Sequence, residues 1–425
     1  MDIQELKVLI CDDSILSRKK LRDYLNSLGC KDIYEAEDGE VAITQYTANN
    51  PDIVFMDIVM PKMDGIEALK GILEIDDEAT IVMASSVGTQ SYLKDAIKAG
   101  AKDFLQKPLD SAQVKKLIDT FLEDDDEGGI WLLFSQFFGN YLLNQNILTK
   151  EQIISALEDT QNTRLKLGVL AINSGYMTSS QVARVHDTQV LKDKKFGDIA
   201  IELGYLTKEQ VQELLNDQPK GYLLLGQAII EKGFITEKDF ESILNSYKKY
   251  YKYDNKILVN GQEDSNYILN KVYDFSSTSY PNQYKKYVSL LINDLVRFIG
   301  DDFTPLNPEY DIRSTSYKVM SQHIHGDLEN TILLFADETT LIHFAERYSG
   351  EELYDLNEYA ESATQDFLNL INGLFTVNES NNQQVELSLE PPGLFETLTP
   401  IDLMDRIILP FQYPFGTIRF SLILK

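Results

Sequence analysis

A multidomain chain is predicted, with a parallel α/β domain first, an all-α helical repeat array second and an α+β domain last. Three observations carry this expectation. Up to about residue 123, short apolar runs such as Val8–Cys11, Ile53–Met56 and Ile81–Ala84 alternate with amphipathic stretches. From 130 to 252, Gly139, Gly168, Gly197 and Gly226 recur every 29 residues. From 256 onward, strand-like runs lie beside long helical ones.

Continuous apolar runs suit strands buried on both faces, and helices between such strands make a parallel sheet. That assigns 1–123 to the first domain. The run Glu123-Asp124-Asp125-Asp126-Glu127-Gly128-Gly129 reads as a solvated linker over 124–129, since like charges repel and the glycines have no helix to cap. In the repeats, Asn146, Gly175, Gly204 and Gly233 follow the first glycines by seven residues, and Thr149, Thr178, Thr207 and Thr236 come three later. Gln152, Gln181, Gln210 and Asp239 stand three residues beyond each threonine, the spacing of a capping box. Each unit therefore reads as helix, break and capped helix, and units must stack to bury their apolar faces. In the last domain, 256–425, helices are expected over Val288–Ile299 and Leu356–Phe375. Strands are expected over Val319–Ile324, Thr331–Phe335, Arg406–Phe411 and Gly416–Leu424.

At 425 residues the chain exceeds one ordinary core. A formal charge of −28 repels phosphate backbones, and no basic helix offsets it, so nucleic-acid binding is not expected. No apolar run is long enough to span a bilayer. Two cysteines, Cys11 and Cys30, point to a reducing compartment and a cytoplasmic protein, not to a disulfide framework.

Asp12 and Asp13 follow the first predicted strand and Asp57 ends the third, so their carboxylates should converge at the carboxyl edge of the sheet. An oxygen-only donor set completed by water suits Mg²⁺. Ser85 ends the fourth strand with a hydroxyl, and Lys107 follows the fifth with a cation. Leu9-Ile10-Cys11-Asp12-Asp13-Ser14, Met56-Asp57-Ile58-Val59-Met60-Pro61-Lys62-Met63-Asp64-Gly65, Met83-Ala84-Ser85-Ser86 and Phe104-Leu105-Gln106-Lys107-Pro108 closely resemble the CheY-like receiver family. The resemblance implies a flavodoxin-like fold and a phosphoryl group accepted on Asp57 from a sensor histidine kinase. It implies Mg²⁺ held by Asp13 and Asp57, with Asp12 acting largely through water and Val59 contributing its carbonyl. Ser85 and Lys107 would grip the phosphoryl oxygens, and Phe104 would be the aromatic switch. Val59 and Val87 lie two residues beyond Asp57 and Ser85, where valines exclude water instead of orienting it, so slow self-dephosphorylation is expected.

Around 359–374, Tyr359, Ala363, Phe367, Leu370 and Leu374 form an apolar stripe, opposite an exposed face bearing Ser362, Asp366, Asn369 and Gly373. Asp366-Phe367-Leu368-Asn369, followed by Pro392, resembles the Glu-x-x-Asn…Pro signature of the CheX/CheC phosphatases. Phe335–Thr340 and Ala345–Gly350 are similar to that family's strand-to-helix passage. The resemblance implies that Asn369 positions the water attacking a phosphorylated CheY-like receiver while the acid pairs with that receiver's lysine, and it implies a homodimer through this domain. Asp366 is one methylene shorter than the family's glutamate, which weakens positioning. His323 and His325 share one strand face, but no cysteine or third histidine lies nearby in sequence, so they read as ordinary strand residues.

The repeats resemble the MshEN domains of type II secretion and pilus ATPases, some of which bind cyclic di-GMP. The matching residues are Lys166, Gly168 and Gln189 in one unit, and Lys195, Gly197 and Gln218 in the next. Lysine replaces the family's arginine and forfeits bidentate phosphate contact. A spacer or protein-docking array is the other reading. For the whole chain two functions stand: a response regulator carrying CheX-like phosphatase activity, or a non-enzymatic adaptor switched by phosphorylation.

Overall fold

The computed structural model describes residues 3–77, 79–86, 96, 99–107, 109, 111, 114–115, 117–118, 125–160, 162–192, 194–216, 221–252, 261–276, 278, 280–309, 317–383, 386–393, 396–397 and 406–423. They form two compact units. One comprises Met1–Gly128, Ser321–Thr331 and Ser362–Leu394, and the other Gly129–Met320, Ile332–Glu361 and Phe395–Lys425.

In the first unit, the strands β1 (Lys7–Cys11), β2 (Asp32–Ala36), β3 (Ile53–Asp57), β4 (Ile81–Ser86) and β5 (Asp103–Lys107) pair in the order β2-β1-β3-β4-β5. Every pairing is parallel. Alternation along the strands divides the core between the two faces of the sheet. Leu9, Cys11, Val54, Met56 and Met83 pack on one face, and Val8, Ile10, Ile53, Phe55 and Val82 on the other. Helix α1 (Ile15–Leu28) starts where the Ser14 hydroxyl accepts from the Ser17 amide, and it stops at Gly29, whose φ of 105° lies in the left-handed region. Helices α2 (Gly39–Asn49) and α3 (Gly65–Leu73) open on Asp38 and Asp64, each capping an amide three residues on. Both cysteines are buried and free.

The division between the two units falls after Gly128, inside the acidic stretch. Asp125–Gly129 are helical and open α4 (Asp125–Asn144), where carboxylates at an amino terminus favour the helix. Glu123 and Asp124 lie outside the described residues. Then follow α5 (Lys150–Thr160), α6 (Leu167–Asn173), α7 (Ser179–Lys192), α8 (Phe196–Glu202), α9 (Lys208–Asn216), α10 (Gly221–Glu231) and α11 (Glu237–Tyr250). All four capping boxes form, with Thr149, Thr178, Thr207 and Thr236 exchanging amide bonds with Gln152, Gln181, Gln210 and Asp239. Asn146, Gly175, Gly204 and Gly233 have φ of 53°, 71°, 71° and 69°, so each unit turns through one left-handed residue. The earlier glycine of each unit serves packing instead. A Cβ at Gly168, Gly197 or Gly226 would come within 2.8, 3.1 or 2.3 Å of Val182, Val211 or Phe240, each fourteen residues on.

The units do not continue as an open stack. Helix α5 of the first packs on α10 of the fourth, Lys232 pairs with Asp159 at 2.8 Å, and Tyr222 donates to Asn173 at 2.9 Å. Phe134, Phe138, Tyr222, Phe240 and Tyr247 fill the centre, edge to face except for the tilted pair Phe134–Tyr247. Four short units with large aromatics close on one another because the ends then bury their own apolar faces and need no capping repeat.

The remaining helices are α12 (Gly261–Leu269), α13 (Pro281–Asp294, continued by a π-helical turn Leu295–Ile299), α14 (Glu338–Ser349) and α15 (Glu358–Gln383). The strands are β6 (Thr304–Pro305), β7 (Lys318–Gly326), β8 (Asn330–Ala336), β9 (Leu387–Leu389), β10 (Glu396–Thr397), β11 (Arg406–Tyr413) and β12 (Gly416–Ile423), in the order β10-β7-β8-β12-β11-β6 with β9 also on β7. The outer side of β7 is taken by β9 and β10, and that of β11 by β6. Among the described residues the outermost strands β6, β9 and β10 are only two or three residues long, which leaves little sheet edge for a partner strand. On α15 the expected stripe is buried at Ala363, Phe367, Leu370 and Leu374, but Tyr359, in the first turn, is 78% exposed. On the opposite face Ser362 is exposed as expected, but Asp366 and Asn369 are half-buried and Gly373 is buried. No helix among the described residues is long and apolar enough to cross a membrane.

Candidate functional site

The chain leaves β1 toward β2 on one side and takes β3 on the other, which opens a crevice at the carboxyl ends of β1 and β3. Asp12 and Asp13 leave β1 there and Asp57 ends β3. Their carboxylate oxygens lie within 4.8 Å of one another. Lys107, at the end of β5, places Nζ 2.7 Å from Asp12 and 2.5 Å from Asp57. Asp12 and Asp57 are buried and Asp13 is exposed.

Burial pushes the Asp57 carboxyl up, against the pull of Lys107, while the Asp12 charge adds to the rise. Burial alone would lower the Lys107 ammonium, but its bonds to Asp12 and Asp57 outweigh that and raise it. The pocket thus holds more negative charge than one lysine neutralises, and a hard divalent cation fits this oxygen-only donor set. The Val59 amide donates toward Asp57, and the Val59 side chain is 68% exposed.

Backbone packing fixes Asp57 as firmly as the side chains do. The Gly65 amide donates to the Ile58 carbonyl at 2.9 Å, and a Cβ on Gly65 would lie 1.9 Å from the Asp57 carbonyl oxygen. Arg18 was not singled out from the sequence. It is buried, donates to the Asp12 carbonyl at 2.6 Å and to that of Asp13 at 3.3 Å, and pairs with Glu35 at 3.0 Å. Only its position on the inner face of α1 could have pointed to it.

Ser85 pairs through its backbone with Gln106, and Phe104 with Met83, but their side chains lie outside the description. Val87 and Gln218 lie outside the described residues.

A model of the response regulator receiver domain family matches residues 8–119. Chemotaxis protein CheY of Bacillus subtilis is 46% identical over 116 residues, covering 27% of this chain and 97% of that protein. The chain belongs to the response-regulator receiver family. CheY of Thermotoga maritima is 42% identical over 113 residues, covering 27% of this chain and 94% of its own length. A chain in the crystal structure of the CheX-CheY-BeF3-Mg+2 complex from Borrelia burgdorferi is 41% identical, over 28% of this chain and 90% of that one, with a TM-score of 0.27. Receiver domains bind Mg²⁺ at an acidic pocket such as Asp12, Asp13 and Asp57 form here.

Outside the receiver domain, Asn369 accepts from Gln322 of β7 at 2.9 Å. The Gln322 amide also donates to the Glu390 carbonyl at 2.9 Å, and its oxygen accepts from Asn372 at 2.8 Å. Gln365, one residue before Asp366, donates to the Gly393 carbonyl at 3.4 Å, which brings the Pro392 loop against the same helix. Asn369 also lines a cavity of about 580 Å³ with Leu73, Asp77, Gly100 and Lys102. These receiver residues precede β4 and β5, at the end of the parallel sheet opposite Asp57.

Four of the residues expected to hold a nucleotide have contacts within the protein. Lys166 pairs with Glu231 at 2.8 Å, and Gln189 folds back onto the Lys194 carbonyl at 3.1 Å and onto His186. Gly168 and Gly197 face neighbouring helices, and Lys195 is exposed at the start of α8.

Proposed function

We propose that this chain is a two-component response regulator phosphorylated on Asp57 and that its α15 acts on phospho-aspartyl receiver domains. The convergence of Asp12, Asp13, Asp57 and Lys107 carries the first half. A sensor histidine kinase is the natural phosphodonor. Asp57 supplies the nucleophilic carboxylate oxygen, and Lys107, already within 2.5 Å, balances charge gathering on the transferred phosphoryl oxygens. Asp12, Asp13 and Asp57 would hold Mg²⁺, with Val59 lending its carbonyl, and the ion supplies charge neutralisation between donor and acceptor. Ser85 would bind a phosphoryl oxygen and Phe104 would report the modification.

The second half rests on Asp366 and Asn369 lying one turn apart beside the Pro392 loop, as the CheX-like motif requires. Gln322 fixes the Asn369 carboxamide by its oxygen, so the amide nitrogen is the group left to orient a water. Asn369 shares its cavity with the end of the receiver opposite Asp57, so the reading favours action on a receiver in another molecule. An adaptor role is favoured instead by the half-buried state of Asn369. Packing accounts for Gly168 and Gly197, and ion pairing or hydrogen bonding for Lys166 and Gln189, better than cyclic di-GMP does.

Phosphate release from separately phosphorylated CheY-like receivers decides between phosphatase and adaptor. The full chain should accelerate release and Asn369→Ala should lower that rate ~10²-fold. Parent and variant rates equal to the uncatalysed one would make α15 a docking element.

A further inference from the structure

We propose that His323, His325 and Glu329 form a binding site for a borderline transition-metal dication of the Zn²⁺ type, separate from the receiver's carboxylate pocket. The histidines are two residues apart on β7 and so share a face, with ring centroids 4.1 Å apart. The β7–β8 turn then brings Glu329 back over them. His323 Nε2 lies 3.3 Å from one Glu329 oxygen and His325 Nδ1 lies 3.6 Å from the other. One donor atom from each of the three residues lies within 4.8 Å of the others. Bonds of ~2.0–2.2 Å in a tetrahedron set ligands ~3.3 Å apart, so both carboxylate distances are near those of a formed site.

The outer contacts make this more than three neighbouring polar side chains. His323 Nδ1 faces the Thr331 hydroxyl at 2.5 Å, which leaves Nε2 as its ligand atom. His325 Nε2 faces the Glu390 carboxylate at 2.7 Å, which leaves Nδ1. Each ring is thus held by the nitrogen that does not ligate, with the ligating nitrogen turned toward Glu329, the arrangement that orients metal-bound histidines. Two imidazoles and one carboxylate select Zn²⁺, Co²⁺ or Ni²⁺ over Mg²⁺, and a fourth position remains for water. Glu390 is also tied in by its backbone, its amide donating to the His323 carbonyl at 3.0 Å. Its carbonyl meanwhile accepts from Gln322, so the site adjoins the residue that holds Asn369.

The test is calorimetric titration of the full chain with Zn²⁺ in excess Mg²⁺, paired with visible absorption on adding Co²⁺. The expected result is one equivalent of Zn²⁺ bound more tightly than about 1 µM, with intense four-coordinate Co²⁺ bands. His323→Ala and Glu329→Gln should each weaken binding at least ~10-fold and abolish the bands. Thr331→Val, which leaves every ligand in place, should weaken it ~10-fold through ring orientation. Asp57→Asn should leave the titration unchanged. Binding weaker than about 10 µM, or equally tight in His323→Ala and Glu329→Gln, would reduce the cluster to a surface hydrogen-bond network.

Discussion

In the receiver domain, Asp12, Asp57 and Lys107 stand at the carboxyl ends of three parallel strands, whereas Gln322, Asn369, Asn372 and Glu390 meet across a sheet, a helix and a loop. The first set converges because parallel pairing puts strand ends side by side, so strand position alone places the side chains. The second set converges only because β7, α15 and the stretch after β9 pack together, and each contact depends on the others. A site of the first kind should fail when the backbone beneath it is pushed. One of the second kind should fail when a single bridging side chain is removed.

The largest effect is expected at Gly65. Its missing Cβ makes room for the Asp57 carbonyl at 1.9 Å, so Gly65→Ala must displace the backbone of Asp57 itself. A loss of about 3 kcal/mol, with Mg²⁺ affinity reduced, should appear in denaturant unfolding and metal titration. A stability change under about 1 kcal/mol would mean the strand end is less constrained than described.

Gln322 is the corresponding weak point of the other region. It is 1% exposed and joins Asn369, Asn372 and Glu390. Gln322→Met keeps the volume and removes the bridge, so a cost of about 2 kcal/mol is expected. The receiver's ability to accept phosphoryl should be unaffected, and an equal loss of labelling would break the separation between the two regions.

The repeats separate two roles of glycine. Gly226→Ala places a Cβ 2.3 Å from Phe240 and should cost about 2 kcal/mol. Gly175→Ala meets nothing within 4 Å, so only its positive φ is penalised, at about 1 kcal/mol. Thermal unfolding of both variants checks the order, and the reverse order would refute the assignment of packing and turning roles.

The smallest effect concerns charge. Because folding raises the Asp57 carboxyl, its contribution is favourable when protonated and is lost as pH rises through its titration. Asp57→Asn in Mg²⁺-free buffer should therefore be more stable than the parent at neutral pH, by on the order of 1 kcal/mol. The gain should vanish below the ordinary carboxylate range. A less stable variant at neutral pH would show that the Lys107 pairing outweighs burial.

The receiver was legible because its function follows from strand order. Asp12, Asp57 and Lys107 were each marked by an apolar run ending beside them. The turns and caps of the repeats were equally plain, since Thr149 and Gln152, and Gly175, act within a few residues of chain. Closure of the four units was not, because α5 meeting α10 is decided by Phe134, Tyr222 and Tyr247 filling a shared centre, a contact with no local signal. Glu329 and Glu390 were missed for the same reason. One reaches the histidines across a turn and the other from just past β9, 65 residues beyond His325, so only the pair on β7 could be read. The helical state of Asp125–Gly129 was not legible, because a carboxylate run suits a solvated linker and a helix amino terminus alike.

The central claim is that Asp57 is the residue the receiver modifies. Incubating the full chain with acetyl phosphate and Mg²⁺, then trapping and mapping the labelled peptide by mass spectrometry, tests it most directly. One phosphoryl group on Asp57, absent in Asp57→Ala and after chelation of Mg²⁺, is the predicted result. Label that persists in Asp57→Ala, or that maps to another carboxylate in the parent, would contradict it.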